Sequence, residues 1–195
     1  MKPYKSLFIL TELYHIEKFG SVKLMASDEK DIKFLINLLN RIKSKYNFRI
    51  TTTFVNEIRV VNDEEVVKIL GSKFGKDLYM AHFVGGRIKK ILLRKKYIER
   101  SEKEVERTFI HEYVHAVDYY YKYKISDELK EYISVGKYYL TRRINEIINN
   151  DKEFAADLLT DFIIKENDFD IKEDQPELFY VIKRILKTNF KLDIN

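Results

Sequence analysis

The segment His111-Glu112-Tyr113-Val114-His115 is the part of the chain around which we interpret the rest. Residues four apart on an α-helix lie one turn above each other on the same face, so His111 and His115 direct two imidazoles to one point. This separation suits a zinc ion, and Glu112 can reach a water on that ion without coordinating it. The pattern therefore predicts zinc-activated hydrolysis of a peptide bond, with Glu112 as the general base.

A pair of histidines at this spacing can also arise by chance, because a helical histidine is usually only packed or solvated. The chain has only four histidines, and two of them fall in this pattern, which favours a metal site over coincidence. The predicted helix begins at a capping box, Ser101 to Glu104. Its apolar residues indicate a largely buried helix, and a zinc ion would satisfy both buried imidazoles at once.

The composition indicates one globular domain over residues 1–195, with 45% hydrophobic and 34% charged residues. We expect an N-terminal α/β part over about 1–98 and a helical part over about 99–195. The net charge of +5 is spread along the chain without a nucleic-acid-binding motif, so we predict no nucleic-acid partner. The absence of cysteine excludes disulfides and thiolate zinc sites.

The N-terminal apolar run, Leu7 to Leu10, is shorter than the core of a signal peptide. No run approaches the roughly 18 apolar residues of a membrane span. We therefore expect a protein without a membrane span or Sec export, although removal of an earlier signal remains open.

Hydrophobic periodicity predicts an α+β fold whose small mixed or antiparallel sheet precedes a mainly helical half. The elements predicted in the first half are a helix over Tyr4 to Lys18 closed by Gly20, a strand over Ser21 to Ala26, a helix from Ser27 through Ile42, a strand over Phe48 to Val55, and a helix from Asn62 towards Gly75. The helices predicted in the second half start at Ser126, with an interruption near Gly136 and a continuation over Tyr138 to Ile148, and then cover Asp151 to Ile164 and Pro176 to Lys187.

A hairpin is predicted just before the histidine helix, because two apolar runs flank Gly85-Gly86. An edge strand beside a catalytic metal can bind a substrate backbone as an added strand. We therefore predict a protein or peptide substrate along the strand at about Ile88 to Leu93. The alternative is an ordinary strand whose edge is protected by lysines.

A catalytic zinc requires a third protein ligand and an open position for water. The two other histidines, His15 and His82, lie upstream, and we interpret His82 as a sheet residue. Glu153 is the better candidate, because its predicted helix can return against the histidine helix. Glu153 could instead complete a helix cap with Asn150.

The residues after Glu153 favour the ligand role. Phe154-Ala155-Ala156 places small and apolar side chains around the carboxylate, so the two helices can approach closely. Asp157 lies one turn further along the same face, where it could accept the second N–H of a zinc-bound histidine.

The two segments His111 to Asp118 and Glu153 to Asp157 resemble the catalytic core of the anthrax lethal factor family, which includes the secreted Pro-Pro endopeptidases. The resemblance implies a zincin-like metalloprotease fold and one Zn²⁺ per chain, held by His111, His115 and Glu153, with Glu112 as the base. Asp157 matches the family's acidic position beside the ligands. The resemblance covers about Glu104 to Ile164; upstream, only the order of the elements is similar.

One departure from the family concerns the tyrosine seven residues before the glutamate ligand, whose hydroxyl stabilises the oxyanion. This chain has Glu146 there, and Tyr138 or Tyr139 could serve only if the connecting segment carries an insertion. Losing one oxyanion donor typically costs ~10²–10³ in rate. The alternative function is therefore a weak or inactive module that binds a protein partner, with zinc as a structural cross-link. The intact Glu112 favours the enzyme.

Overall fold

The structure is a computed structural model that describes residues 14–72, 80–140, 150–164 and 168–192. A five-stranded mixed sheet occupies the N-terminal half, and the C-terminal half is helical. The α+β class predicted from the sequence is thereby confirmed. In the part of the chain that the structure describes, no helix combines the length and apolar character of a membrane span.

The sheet has the strand order β1-β2-β3-β5-β4. The three central strands β2, β3 and β5 are parallel, and β1 and β4 pair antiparallel at the two ends. The strands are β1 His15–Phe19, β2 Val22–Ala26, β3 Glu57–Val61, β4 Ala81–Val84 and β5 Lys90–Arg94.

The described α-helices are α1 Glu29–Tyr46, α2 Asp63–Leu70, α3 Glu102–Tyr120, α4 Lys124–Leu129, α5 Ile133–Gly136, α6 Asp151–Ile163, α7 Asp168–Asp174 and α8 Pro176–Ile185. Short 3₁₀ turns follow β5, α4 and α5, and a π-helical turn over Leu186–Phe190 follows α8. The main apolar core contains buried residues of β2, β3 and β5 together with those of α1, α3, α6 and α8. A smaller cluster joins Val66 of α2 to Val61 and Leu92.

Several predicted elements are confirmed. Residues 22–26 form β2, and α1 and α2 begin close to the predicted starts, α2 with a complete capping box at Asn62. The hairpin of β4 and β5 is present, as are α6 and α8. Ser101 caps α3 by accepting from the Glu104 N–H at 3.3 Å.

The predicted helix over Tyr4 to Lys18 is wrong where it can be checked, because residues 15–18 belong to β1. Gly20 has a φ of 59° and forms the turn into β2, so the glycine that resembled a helix stop is a hairpin turn. Residues 4–13 of that prediction lie outside the described part of the chain.

The predicted strand over Phe48 to Val55 is also wrong. The Thr51 carbonyl accepts from the N–H groups of Phe54 and Val55, so the β-branched segment turns back on itself, and β3 begins only at Glu57. Phe48 and Val55 are nevertheless buried. Their apolar character reflects core packing from a loop rather than strand formation.

Helix α4 begins at Lys124 rather than at Ser126. Asp118 Oδ1 accepts from the N–H groups of Ile125 and Ser126, so an acidic side chain of α3 provides the start of the next helix. The predicted continuation over Tyr138 to Ile148 reaches a 3₁₀ turn at Lys137–Tyr139, and its residues 141–149 lie outside the described chain. Helix α7 was not predicted.

Candidate metal centre

Helices α3 and α6 face each other through two rows of polar side chains, each row with a spacing of four residues. The rows run in opposite directions, so that the last residue of one row faces the first residue of the other. From one end to the other, α3 contributes Arg107, His111 and His115, and α6 contributes Asp161, Asp157 and Glu153. We call these six residues the polar ladder.

Three residues at one end of the ladder bring potential metal-ligand atoms together. The Nε2 atoms of His111 and His115 are 3.1 Å apart, and each is close to the Glu153 carboxylate, at 3.2 Å from Oε2 and 3.3 Å from Oε1 respectively. A tetrahedral zinc with bonds of about 2.0–2.1 Å would place its ligand atoms about 3.3 Å apart. The donor set and its spacing therefore fit a zinc ion.

The exposure of the three side chains differs. Those of His111 and His115 are 13% and 17% exposed, whereas that of Glu153 is 42% exposed. The group is therefore open to solvent on the side of Glu153, as a site that admits water and substrate must be.

Asp157 fixes the orientation of the first histidine. The Nδ1–H of His111 donates to Asp157 Oδ1 at 3.0 Å. Because an ionised carboxylate can only accept, Nδ1 carries a proton, and Nε2 is the ring nitrogen that faces Glu153 and His115. The geometry is the one that the spacing of Asp157 and Glu153 predicted.

The carboxylates around His111 favour its charged form. Burial alone would lower the pKa of His111, but the Asp157 and Glu153 carboxylates raise it to about 10. Burial would raise the pKa of Glu153, but hydrogen bonds from His111 and His115 hold it well below the usual range of a glutamate. Burial would also raise the pKa of Asp157, but the contacts with His111 and Arg107 lower it.

Glu112 lies beside the strand β4. The Phe83 N–H donates to Glu112 Oε2 at 2.6 Å. The backbone carbonyl of Met80, just before β4, points to β5 and accepts from the Arg94 N–H. Because the pairing of antiparallel strands alternates, the backbone groups of Ala81 and Phe83 point to the opposite, outer side.

The predicted substrate strand at about Ile88 to Leu93 is not an edge. It corresponds to β5, which pairs with β3 on one side and β4 on the other, so β4 is the end strand among the strands described. The order of strands in a sheet is a long-range property that the hairpin sequence does not determine.

The glycine turn between β4 and β5 is attached to α3. The Gly86 N–H donates to the Tyr119 hydroxyl at 3.1 Å. A Cβ at Gly85 would lie 2.8 Å from the Tyr119 ring, so the ring would have to shift to admit it. Tyr119 and Glu112 thereby attach the β4–β5 hairpin to α3 at two points.

The cap at the start of α6 and the metal group use different atoms of Glu153. Asn150 Oδ1 accepts from the N–H groups of Lys152 and Glu153, while the Glu153 carboxylate lies against the histidines. The two interpretations of Glu153 are therefore compatible.

The other residues considered from the sequence lie elsewhere or outside the described chain. His15 is exposed on β1, and His82 lies in β4, where burial lowers its pKa. The Tyr139 hydroxyl donates to Asp174 Oδ2 at 3.2 Å. The side chain of Tyr138 and the whole of Glu146 lie outside the described part.

Arg107 and Asp161 are the site residues that the sequence analysis missed. The Arg107 guanidinium donates to Asp157 Oδ1 at 3.2 Å and also pairs with Asp161. Their spacing carries a signal, since Arg107 precedes His111 by one helical turn and Asp161 follows Asp157 by one turn.

No protein-family model, no curated protein and no solved structure matches this chain. The resemblance to the lethal factor family therefore rests on the two motifs alone.

Proposed function

We propose that this protein is a zinc-dependent endopeptidase in which His111, His115 and Glu153 hold the metal. The observation that supports this proposal most directly is the spacing of 3.1–3.3 Å among their Nε2 and carboxylate oxygen atoms. Glu112 follows the first of these histidines on α3, and its side chain contacts β4. The combination of three ligands, an exposed side and an adjacent carboxylate is what catalytic zinc sites require.

A zinc ion bound there would polarise a peptide carbonyl and lower the pKa of a water ligand towards 7. Glu112 takes the proton of the attacking water and delivers it to the leaving amine. The Phe83 N–H keeps one carboxylate oxygen of Glu112 fixed, so the other oxygen remains the proton acceptor. Asp157 keeps His111 in the tautomer that offers Nε2 to the metal.

The substrate in this proposal is an extended peptide bound along β4. The outward-facing N–H and carbonyl of Ala81 and the carbonyl of Phe83 would pair with it as an added strand, while the Phe83 N–H stays on Glu112. Because Phe83 also contacts Glu112, this pairing would bring the peptide backbone next to the base. The strand β4 replaces β5 in this role.

The second candidate function is a protein-binding module with zinc as a cross-link between α3 and α6. The contact between the Tyr139 hydroxyl and Asp174 favours it, because the single proton of that hydroxyl is donated to Asp174. The position of Glu112 beside β4 favours the enzyme, since a structural zinc has no use for a base.

The two candidates are separated by measuring zinc content and cleavage of a peptide library in the same samples. We expect about one zinc per chain, which Glu153→Ala loses, and library cleavage that Glu112→Gln lowers by about 10²–10⁴-fold while it retains zinc. Glu104→Gln is the matched control, because Glu104 is exposed on the same helix. Full cleavage by Glu112→Gln would overturn the mechanism. A wild type that binds zinc and cleaves nothing would favour the cross-link.

A further inference from the structure

The part of the polar ladder beyond the metal group contains an arginine that the proposed function does not yet use. Arg107 lies on α3 one turn before His111, and its side chain is 8% exposed. It contacts Asp157 and Asp161, whose side chains are 1% and 2% exposed. We propose that Arg107 is a positioning residue for the zinc ligand His111, acting through Asp157; this inference rests on the proposed function.

The contacts of Asp157 carry the argument. A single oxygen, Oδ1, accepts both from His111 Nδ1 at 3.0 Å and from Arg107 at 3.2 Å. The carboxylate therefore cannot rotate to improve one contact without lengthening the other. With Arg107 in place, Asp157 holds the imidazole of His111 in one plane, and the Nε2 lone pair is directed at the metal.

Asp161 completes the arrangement by holding the other side of the guanidinium. The planar fork of arginine presents several N–H donors in fixed directions, so it can contact two carboxylates at once. Asp157 and Asp161 are one turn apart on α6, and their charges repel each other. Lysine would supply the charge of Arg107 but not the fork.

A neighbouring cluster provides the comparison with a purely structural ion pair. Glu106 is buried, like Arg107, Asp157 and Asp161, and it accepts from Arg41, Lys45 and Tyr46 of α1. These contacts join α3 to α1, and none of them involves a residue of the ladder. Changing Glu106 should weaken the fold without moving His111.

The test is the zinc affinity of the folded protein, measured by competition with a chelator, together with the visible absorption of the cobalt(II) form. We expect Arg107→Lys to bind zinc about tenfold more weakly and Asp157→Asn about 10–100-fold more weakly, with a changed cobalt spectrum in each. The double variant should be no weaker than Asp157→Asn alone, because Arg107 acts through Asp157. Glu106→Gln should be less stable but keep the wild-type zinc affinity and spectrum.

Wild-type zinc affinity and cobalt spectrum in Arg107→Lys would overturn the inference, and so would losses that multiply in the double variant. If Arg107→Lys does not fold, the zinc affinity of the Asp161→Asn variant tests the inference instead. This change removes a carboxylate charge that contacts the guanidinium and should weaken zinc binding several-fold, whereas an unchanged affinity overturns the inference. A wild-type protein that binds no zinc would instead overturn the proposed function, which distinguishes the two failures.

Discussion

Replacing Gly136 with alanine should destabilise this protein, although the same change stabilises most helices. Gly136 ends α5 with a helical φ of −61°, so its backbone conformation suits any residue. A Cβ at this position would lie 2.6 Å from Phe154 Cζ and 3.2 Å from Phe154 Cε2. Phe154 is fully buried and adjoins the candidate ligand Glu153. Its ring has no solvent to move into.

The sign of the effect follows from comparing two magnitudes. Alanine in place of a helical glycine gains about 0.5–1 kcal/mol through the entropy of the unfolded chain and the helix propensity. Overpacking a rigid core costs about 1–3 kcal/mol. We therefore expect the free energy of unfolding to fall by about 1–2 kcal/mol, or by roughly 2–8 °C in Tm for a chain of this size. A shift of Phe154 should also weaken zinc binding through Glu153.

Urea denaturation of the chelator-treated protein measures this change, because the midpoint shifts while the slope stays constant if only stability changes. Ser134→Ala is the matched control, since Ser134 is exposed on the same short helix. It should change the stability by no more than about 0.5 kcal/mol. A Gly136→Ala variant that is more stable than wild type by 0.5–1 kcal/mol, as for an ordinary helical glycine, would refute the proposed close contact with Phe154.

Two further predictions concern the metal group and the strand beside it. Because the neighbouring carboxylates raise the pKa of His111 to about 10, zinc must displace a proton from this ring at neutral pH. The zinc affinity should therefore increase about tenfold per pH unit from pH 7 to 9. Calorimetry in buffers of different ionisation enthalpy would detect the released proton, and a pH-independent affinity would contradict this prediction. Phe83→Pro removes the N–H that binds Glu112, whereas the control Phe83→Ala keeps it. We expect kcat/KM of the proline variant to be at least about tenfold lower than that of the alanine variant. Equal rates with equal zinc content would contradict the role of this contact.

The candidate metal group could be predicted from the sequence because helix geometry is local. A spacing of four residues places His111 above His115, and the same rule places Asp157 beside Glu153. The pairing of the two helices was the only long-range assumption. It depended on the small residues after Glu153, and α6 does lie against α3 there. The glycine predicted to interrupt a helix has a related role, since Gly136 lets α5 approach Phe154.

The incorrect predictions concern features that depend on distant parts of the chain. Whether β4 or β5 is the outer strand depends on the pairing of β3 with β5, which brings residues 57–61 next to residues 90–94. The segment Phe48 to Val55 has strand-like residues but no neighbouring strand, and it turns at Thr51 instead. Propensity is a weak guide wherever pairing partners decide the conformation.

The charges of the polar ladder support the proposal of a divalent cation at its open end. Asp161, Asp157 and Glu153 contribute three negative charges, and Arg107 contributes one positive charge, so two positive charges are missing. A proton on His111 supplies one of them, whereas a Zn²⁺ bound as proposed would supply both and leave the ladder neutral. Since unbalanced buried charge is costly, the proposed zinc would balance the ladder better than a single proton does. Arg107 is essential to this balance, because without it a divalent ion would leave the ladder with one excess negative charge.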